Sequence, residues 1–279
     1  MDLTRTGSTE RSGYALLKNW LGFVSSRLEV FLPLMIFGVG LGCWEWGARS
    51  GRIAMLYFPA PSIIATTLAK LTRDGTLMES IAATLSRVFS GVLLGGAPGL
   101  ALGITMGWSR RVRSALDPFI AAAHPVPKVA VLPIILIIFG MGELSKAVVV
   151  SVSAFFPILI NSIWAVQQIS PIHFEVAQNY GAGRMKVLTR VILPGSLPLI
   201  LAGVRLALNA AFLTTIVVEL LIARTGLGAM LWMARETLRT EELYAGLFVI
   251  AILGMSFNFI LQRLALRLVP WQPKIARDV

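Results

Sequence analysis

Glu175-Val-Ala-Gln-Asn-Tyr-Gly181, followed after a basic run by Val191-Ile-Leu-Pro194, is a polar, charged insert lodged between two long apolar segments. Its surroundings decide the fold. Hydrophobic residues make up 56% of the 279-residue chain and charged residues 14%, with a mean hydropathy of +0.76. A soluble domain carries roughly 25% charged residues, so there is too little polar surface here to wrap a water-facing globule. The apolar residues also come in blocks, and about 18 or more in a row read as a transmembrane helix. The chain is therefore an all-α, multi-span integral membrane protein. A polar insert of this length in so apolar a chain needs a partner in water.

Several function classes are disfavoured. Cys43 is the single cysteine and lies in an apolar block, so it forms neither an intramolecular disulfide nor a metal site. His124 and His173 are far apart, and no metal cluster, Walker A loop or nucleophile elbow is present. The chain does not look like an enzyme on its own, and no cofactor or metal site is expected within it. A net charge of +11 is explained by Lys and Arg in cytoplasmic loops better than by nucleic acid. Residues 1–30 lack a clean apolar core and a small-residue cleavage site, so they read as a cytoplasmic N-terminal segment rather than a signal peptide.

Six spans are expected within 31–279, at about 31–48, 82–108, 119–140, 147–166, 197–222 and 243–266. Pro98, Pro133 and Pro157 fall inside them, which neighbouring helices tolerate. With the N-terminus inside, fourteen Lys and Arg residues fall in the cytoplasmic pieces and eight on the other side. That bias places both termini, and the insert at 167–196, in the cytoplasm. Between the first two spans, Ser62 is an expected helix N-cap ahead of Ile63, Ile64, Thr67, Leu68 and Leu71. The resulting short helix is either interfacial or a plain connector.

Gly91, Gly95, Gly99, Gly103 and Gly107 recur every fourth residue in the second span. Glycine weakens a helix, so a regular row points to close packing of another helix, in the same chain or a second one. Within the insert, Ser170-Pro171 suits a helix start. Glu175 suits the early turns, Gly181-Ala182-Gly183 makes a break, and Arg184 to Leu188 reads as a second short helix. Pro194 and Pro198 mark the return to the membrane. The whole is a helix-turn-helix bracket.

Glu175-Val-Ala, three residues, Gly181, nine residues and Val191-Ile-Leu-Pro194 together resemble the EAA loop of binding-protein-dependent ABC importer permeases. The wider sequence is most similar to the nitrate/sulfonate/taurine branch. Phe58-Pro-Ala-Pro-Ser62, Gly140-Met-Gly-Glu-Leu-Ser-Lys146, Gly203-Val-Arg205 and Gly226-Leu-Gly228 carry that likeness, which spans roughly 58–268. Val176 stands where alanine is usual and Val191 where isoleucine is usual, both conservative departures. The resemblance implies a six-span type I importer (MetI-like) permease fold. It implies a second permease copy, often identical, two cytoplasmic ATPases that bind ATP and Mg, and a periplasmic or extracellular solute-binding protein. On the same grounds Glu175, Ala177, Gly181, Ala182 and Arg184 are expected to couple to the ATPase, with the permease in the bacterial inner membrane.

Ionisable groups inside a bilayer are functional candidates by default. Arg205 and Glu219 lie fourteen residues apart in the fifth span, on one face of the helix at opposite ends. They either line a translocation pathway or gate, or pair between helices. Lys128 is expected to snorkel, and Glu45, beside Trp44 and Trp46, to anchor at headgroups. The loop 224–242 reads either as a docking surface for a binding protein or as a lid on its own spans. The function expected is the membrane subunit of an ATP-driven importer for a small anionic solute such as an aliphatic sulfonate, taurine or nitrate. An ion-coupled secondary transporter and a non-transporting scaffold are the competing readings.

Overall fold

A computed structural model of the chain describes residues 31–33 and 35–271. The N-terminal segment 1–30 and the basic residues Lys274 and Arg277 lie outside them. Among the described residues every regular element is helical, and the chain divides into two compact units, Met1–Thr66 and Thr67–Val279.

In the first unit, α1 (Phe31–Arg49) is an apolar helix whose Met35, Ile36, Phe37 and Val39 side chains are exposed, as suits a lipid-facing span. Glu45 near its end is not simply a headgroup anchor. Its carboxylate accepts from the Ser62 amide at 3.0 Å and the Ser62 hydroxyl at 2.7 Å, and it pairs with Arg49. Ser62 therefore does not cap a helix. The next helix, α2 (Pro61–Arg73), already begins at Pro61, and the Ser62 hydroxyl is used by Glu45 instead. Proline at a helix start gives up an amide that would be unpaired there anyway.

The second unit is built on three long helices. α3 (Thr76–Trp108), of 33 residues, starts just after the left-handed Gly75, with Glu79 in its first turn. The expected start near residue 82 was late because Thr76 to Ile81 are amphipathic rather than apolar. At about 1.5 Å per residue this helix is about 50 Å long, well beyond the ~30 Å hydrocarbon core of a bilayer. α6 (Glu143–Gln167) packs beside it and is the most deeply buried of the three. The glycine row makes this possible. A Cβ on Gly95 would lie 2.0 Å from the Ser151 carbonyl oxygen, and one on Gly99 2.9 Å from that of Phe155. A Cβ on Gly103 would lie 2.7 Å from the Leu159 carbonyl, and one on Gly107 2.6 Å from Val166 Cβ. The contacts advance together along both helices, so α3 and α6 run parallel, backbone against backbone.

The span expected over 119–140 is broken. α4 (Arg110–Ala123) ends before Pro125 and Pro127; a 3-10 turn (Lys128–Val131) and α5 (Leu132–Phe139) follow, bent from α4 by 87°. Two prolines in three residues remove two amide donors, so the α-helical ladder cannot continue through them. After α6 come α7 (Pro171–Asn179) and α8 (Arg184–Val187), then a π-helical turn (Leu188–Ile192) and α9 (Leu193–Ile222). The second short helix of the expected bracket is thus the first turn of one 39-residue helix, Arg184–Ile222. The wide turn at 188–192 sits just ahead of Pro194, where a regular α turn would clash with the proline ring.

α9 runs antiparallel to α6. Gly203 meets Asn161, with a would-be Cβ contact of 2.7 Å, and the Thr214 hydroxyl donates to Ser153 Oγ at 2.9 Å. Val149 and Val218 share a buried cluster with Leu132 and Ile135. α10 (Leu227–Glu236) and α11 (Thr240–Leu268) complete the unit. Phe257 of α11 stands edge-on to Phe212 of α9 and Phe89 of α3, at centroid distances of 5.3 and 6.1 Å. Among the described residues, five helices are long and apolar enough to cross a membrane, and the bent α4–α5 region makes a sixth crossing if counted as one span.

Candidate functional site

Two polar constructions stand out, at opposite ends of the α3–α6–α9 layer. The first joins the C-terminus of α6 to the N-terminus of the 184–222 helix. The Ser170 side chain makes no cap; its carbonyl accepts the His173 amide at 3.1 Å, and Pro171 opens α7. The helix closes on Gly181 at φ +68°. The Gly181 amide bonds the Gln178 carbonyl at 2.8 Å, and the Ala182 amide bonds the Ala177 carbonyl at 2.9 Å. This is the paired hydrogen-bond pattern of a Schellman cap. A Cβ on Gly181 would meet nothing within 4 Å, so glycine is needed there for its backbone angle and not for space.

Ala177 and Ala182 rest on a small apolar core of Val166, Val187 and Ile192, which fixes the bracket to the spans. Among the described residues, the opposite face has no partner. Ile172, Val176, Tyr180 and Met185 are exposed, Tyr180 to 88%. Glu175 and Arg184 are also exposed, and neither side chain makes a hydrogen bond or ion pair within the described residues. A groove of about 960 Å³, lined in part by His173, Ala177, Arg190, Pro194 and Trp271, runs alongside. Exposed apolar groups mixed with unpaired charges are the makings of a protein-docking surface.

The second construction centres on Arg87, buried to 5% exposure in α3. Its Nε and Nη2 hold Glu143 bidentately at 2.7 and 2.9 Å. Its Nη1 reaches Glu219 Oε1 at 2.7 Å and the Thr225 carbonyl at 2.6 Å, and Nη2 also donates to Thr225 Oγ1 at 2.9 Å. Glu219, with no exposed surface, takes two further bonds, from Thr84 Oγ1 and the Gly228 amide, each 2.9 Å. Lys146 closes the set on Glu143 at 2.6 Å.

Glu219 therefore shares no contact with Arg205. Arg205 donates from Nε to Asn258 Oδ1 at 2.9 Å, which also accepts from Asn209 at 3.2 Å, forming a partly exposed polar cluster between α9 and α11. Lys128 bonds the His124 carbonyl and lies 4.8 Å from the Phe156 ring centre. Arg87 and Glu143 were missed in the sequence. The signal was available: an arginine within an apolar block requires a carboxylate, and Glu219 is the carboxylate deepest in the spans.

Residues 99–272 match the model of the binding-protein-dependent transport system inner membrane component, and the chain belongs to that family. It is thus a multi-pass inner-membrane transport subunit of a system that works with an ATPase and a solute-binding protein. The taurine transport system permease protein of Escherichia coli is 35% identical over 252 residues, covering 88% of this chain and 92% of that protein. A putative aliphatic sulfonates transport permease protein of Bacillus subtilis is 32% identical over 243 residues, covering 87% of each. A solved structure of the MetNI methionine ABC transporter, in an inward-facing conformation, superposes with a TM-score of 0.62. That match, at 18% identity, covers 71% of this chain and 98% of the other and shows a shared fold.

Proposed function

We propose that this chain forms the solute pathway of an ATP-driven importer for a small organic or inorganic anion, such as an aliphatic sulfonate, taurine or nitrate. The α7–α8 bracket is its coupling surface. The carrying observation is the unpartnered face of that bracket, where exposed Ile172, Val176, Tyr180 and Met185 lie among unpaired Glu175 and Arg184. Ala177, Gly181 and Ala182 hold that face in shape from beneath and at its end. The taurine and sulfonate relatives support the anion class. Arg205, a partly exposed cation among apolar helices, is the residue assigned to the pathway.

Two copies of the chain build the pathway, and two cytoplasmic ATPases bind the ATP and Mg. A periplasmic or extracellular protein delivers the solute, and both termini face the cytoplasm. Closure of the ATPases on ATP draws the brackets together. The two conformations then differ in ATPase affinity, which is the free-energy difference that any driven population shift requires. No observation favours an ion-coupled transporter, because the Glu219 carboxylate already has its donors within the protein.

The test is a pull-down of tagged chain from native membranes in mild detergent, with every retained subunit identified by mass. The expected result is a co-purifying ATPase that is lost in Gly181→Trp, while the variant itself still enters the membrane. Retention of the ATPase and normal uptake by Gly181→Trp would refute the coupling assignment. Solute transport by the purified chain alone, without ATP, would refute the importer.

A further inference from the structure

We infer that Arg87 and Glu219 are positioning residues that clamp α10 to α3, α6 and α9, so that the four helices move as one body. The guanidinium has five N–H donors, and each has an acceptor: two on Glu143, one on Glu219 and two on Thr225. One side chain of α3 thereby holds the first turn of α6, the end of α9 and the loop that leads into α10. Glu219 and Thr84 continue the clamp into α10 itself. They accept the amides of Gly228 and Leu227, both at 2.9 Å, at the positive end of that helix.

The surroundings are shaped for this closeness. A Cβ on Gly226, which adopts φ +111°, would fall 2.4 Å from the Glu219 carboxylate, and one on Gly228 would fall 2.4 Å from the Ile216 carbonyl. Burying an ion pair is a poor way to gain stability, since well-packed apolar side chains do as well or better. What the cluster adds is direction. Bidentate geometry and helix-terminal amides fix where α10 sits, which shape-tolerant apolar packing does not. α10 also carries an exposed face with Trp232, Met233, Arg235 and Glu236. On the importer reading, with the bracket in the cytoplasm, that face lies on the outer side, where it relays the arrival of the binding protein to the spans.

The direct test is amide hydrogen exchange on the full chain in lipid nanodiscs, which does not depend on the importer reading. In Arg87→Leu and Glu219→Gln, exchange across 227–236 should rise by about 10- to 100-fold, the loss expected for one charged hydrogen bond, with 171–179 unchanged. The double variant Arg87→Leu/Glu219→Leu removes both charges together, so it tolerates burial while still loosening α10. Gly226→Ala, which keeps both charges but pushes its Cβ against the Glu219 carboxylate, should loosen the same residues. Arg87→Lys should restore only part of the protection, because an ammonium cannot reproduce the fork. Unchanged exchange in the double variant, or equal loosening everywhere, would overturn the clamp. The second readout, resting on the importer reading, is ATPase activity in the assembled complex. Loss of stimulation by the binding protein, with the basal rate kept, supports one-body movement. Full stimulation despite a loosened α10 refutes it. If the wild-type chain retained no ATPase, the importer reading would fall while the exchange result stood.

Discussion

Replacing Gly95 by alanine should destabilise the protein even though alanine is the better helix former. The added Cβ would lie 2.0 Å from the Ser151 carbonyl oxygen and 2.7 Å from its carbon. An ordinary carbon–oxygen approach is about 3.3 Å, so the shortfall is roughly 1.3 Å. The obstacle is backbone, locked in the α6 hydrogen-bond ladder, so α3 and α6 must part to accommodate it. Overpacking of this kind costs about 1–3 kcal/mol. Against it stands the intrinsic gain of Gly→Ala within a helix, about 1 kcal/mol. The net loss is up to about 2 kcal/mol. Gly254 supplies the control. A Cβ there meets only Phe212 Cε1, at an ordinary 3.7 Å, so Gly254→Ala should keep the propensity gain and leave the protein equally or more stable. Gly91 distinguishes the two kinds of obstacle. Its would-be Cβ lies 2.3 Å from a side-chain atom, Val150 Cγ1, and 2.7 Å from Val150 Cβ, so Gly91→Ala/Val150→Ala removes the nearer obstacle and should recover part of the stability that Gly91→Ala loses. Gly95→Ala/Ser151→Ala should recover none. The assay is equilibrium unfolding in mixed micelles of rising denaturing-detergent fraction, followed by helical signal. A Gly95→Ala protein as stable as Gly254→Ala would show that α3 and α6 do not meet as described.

Thr84→Val replaces the hydroxyl that donates to Glu219 and accepts from Leu227 with a shape-matched methyl. It should cost about 1–3 kcal/mol by leaving a buried amide without an acceptor, read by the same unfolding assay. Glu219→Gln should be costlier than Glu143→Gln: the Glu219 side chain is fully buried, whereas that of Glu143 is 65% exposed and water can solvate what remains. Equal losses for the two would contradict the burial difference.

The class of protein was open to a sequence reading because it depends on local quantities. Long apolar blocks, few charges and the Lys/Arg bias are one-dimensional, and the Glu175–Pro194 spacing needs no partner from elsewhere in the chain. The glycine row was legible for a related reason: its period of four is the period of one helix face. Element ends were less so. The early start of α3 at Thr76 and the continuity of 184–222 depend on turns whose polar residues hide a helix from an apolar-block reading. The break at Pro125 and Pro127 was written in the sequence, but prolines inside spans are often tolerated, so their presence did not by itself settle the bend.

What the sequence determined alone is that this chain crosses a membrane repeatedly and carries a polar insert between two apolar segments, because solvent partition and helix periodicity act residue by residue. What only the tertiary structure decided is which polar groups satisfy one another. Arg87 and Glu219 are separated by 132 positions, and Gly95 and Ser151 sit on helices separated by the whole bent α4–α5 region. In a medium without water each buried charge and each backbone group must find its partner within the protein, and that pairing is set by how the helices pack.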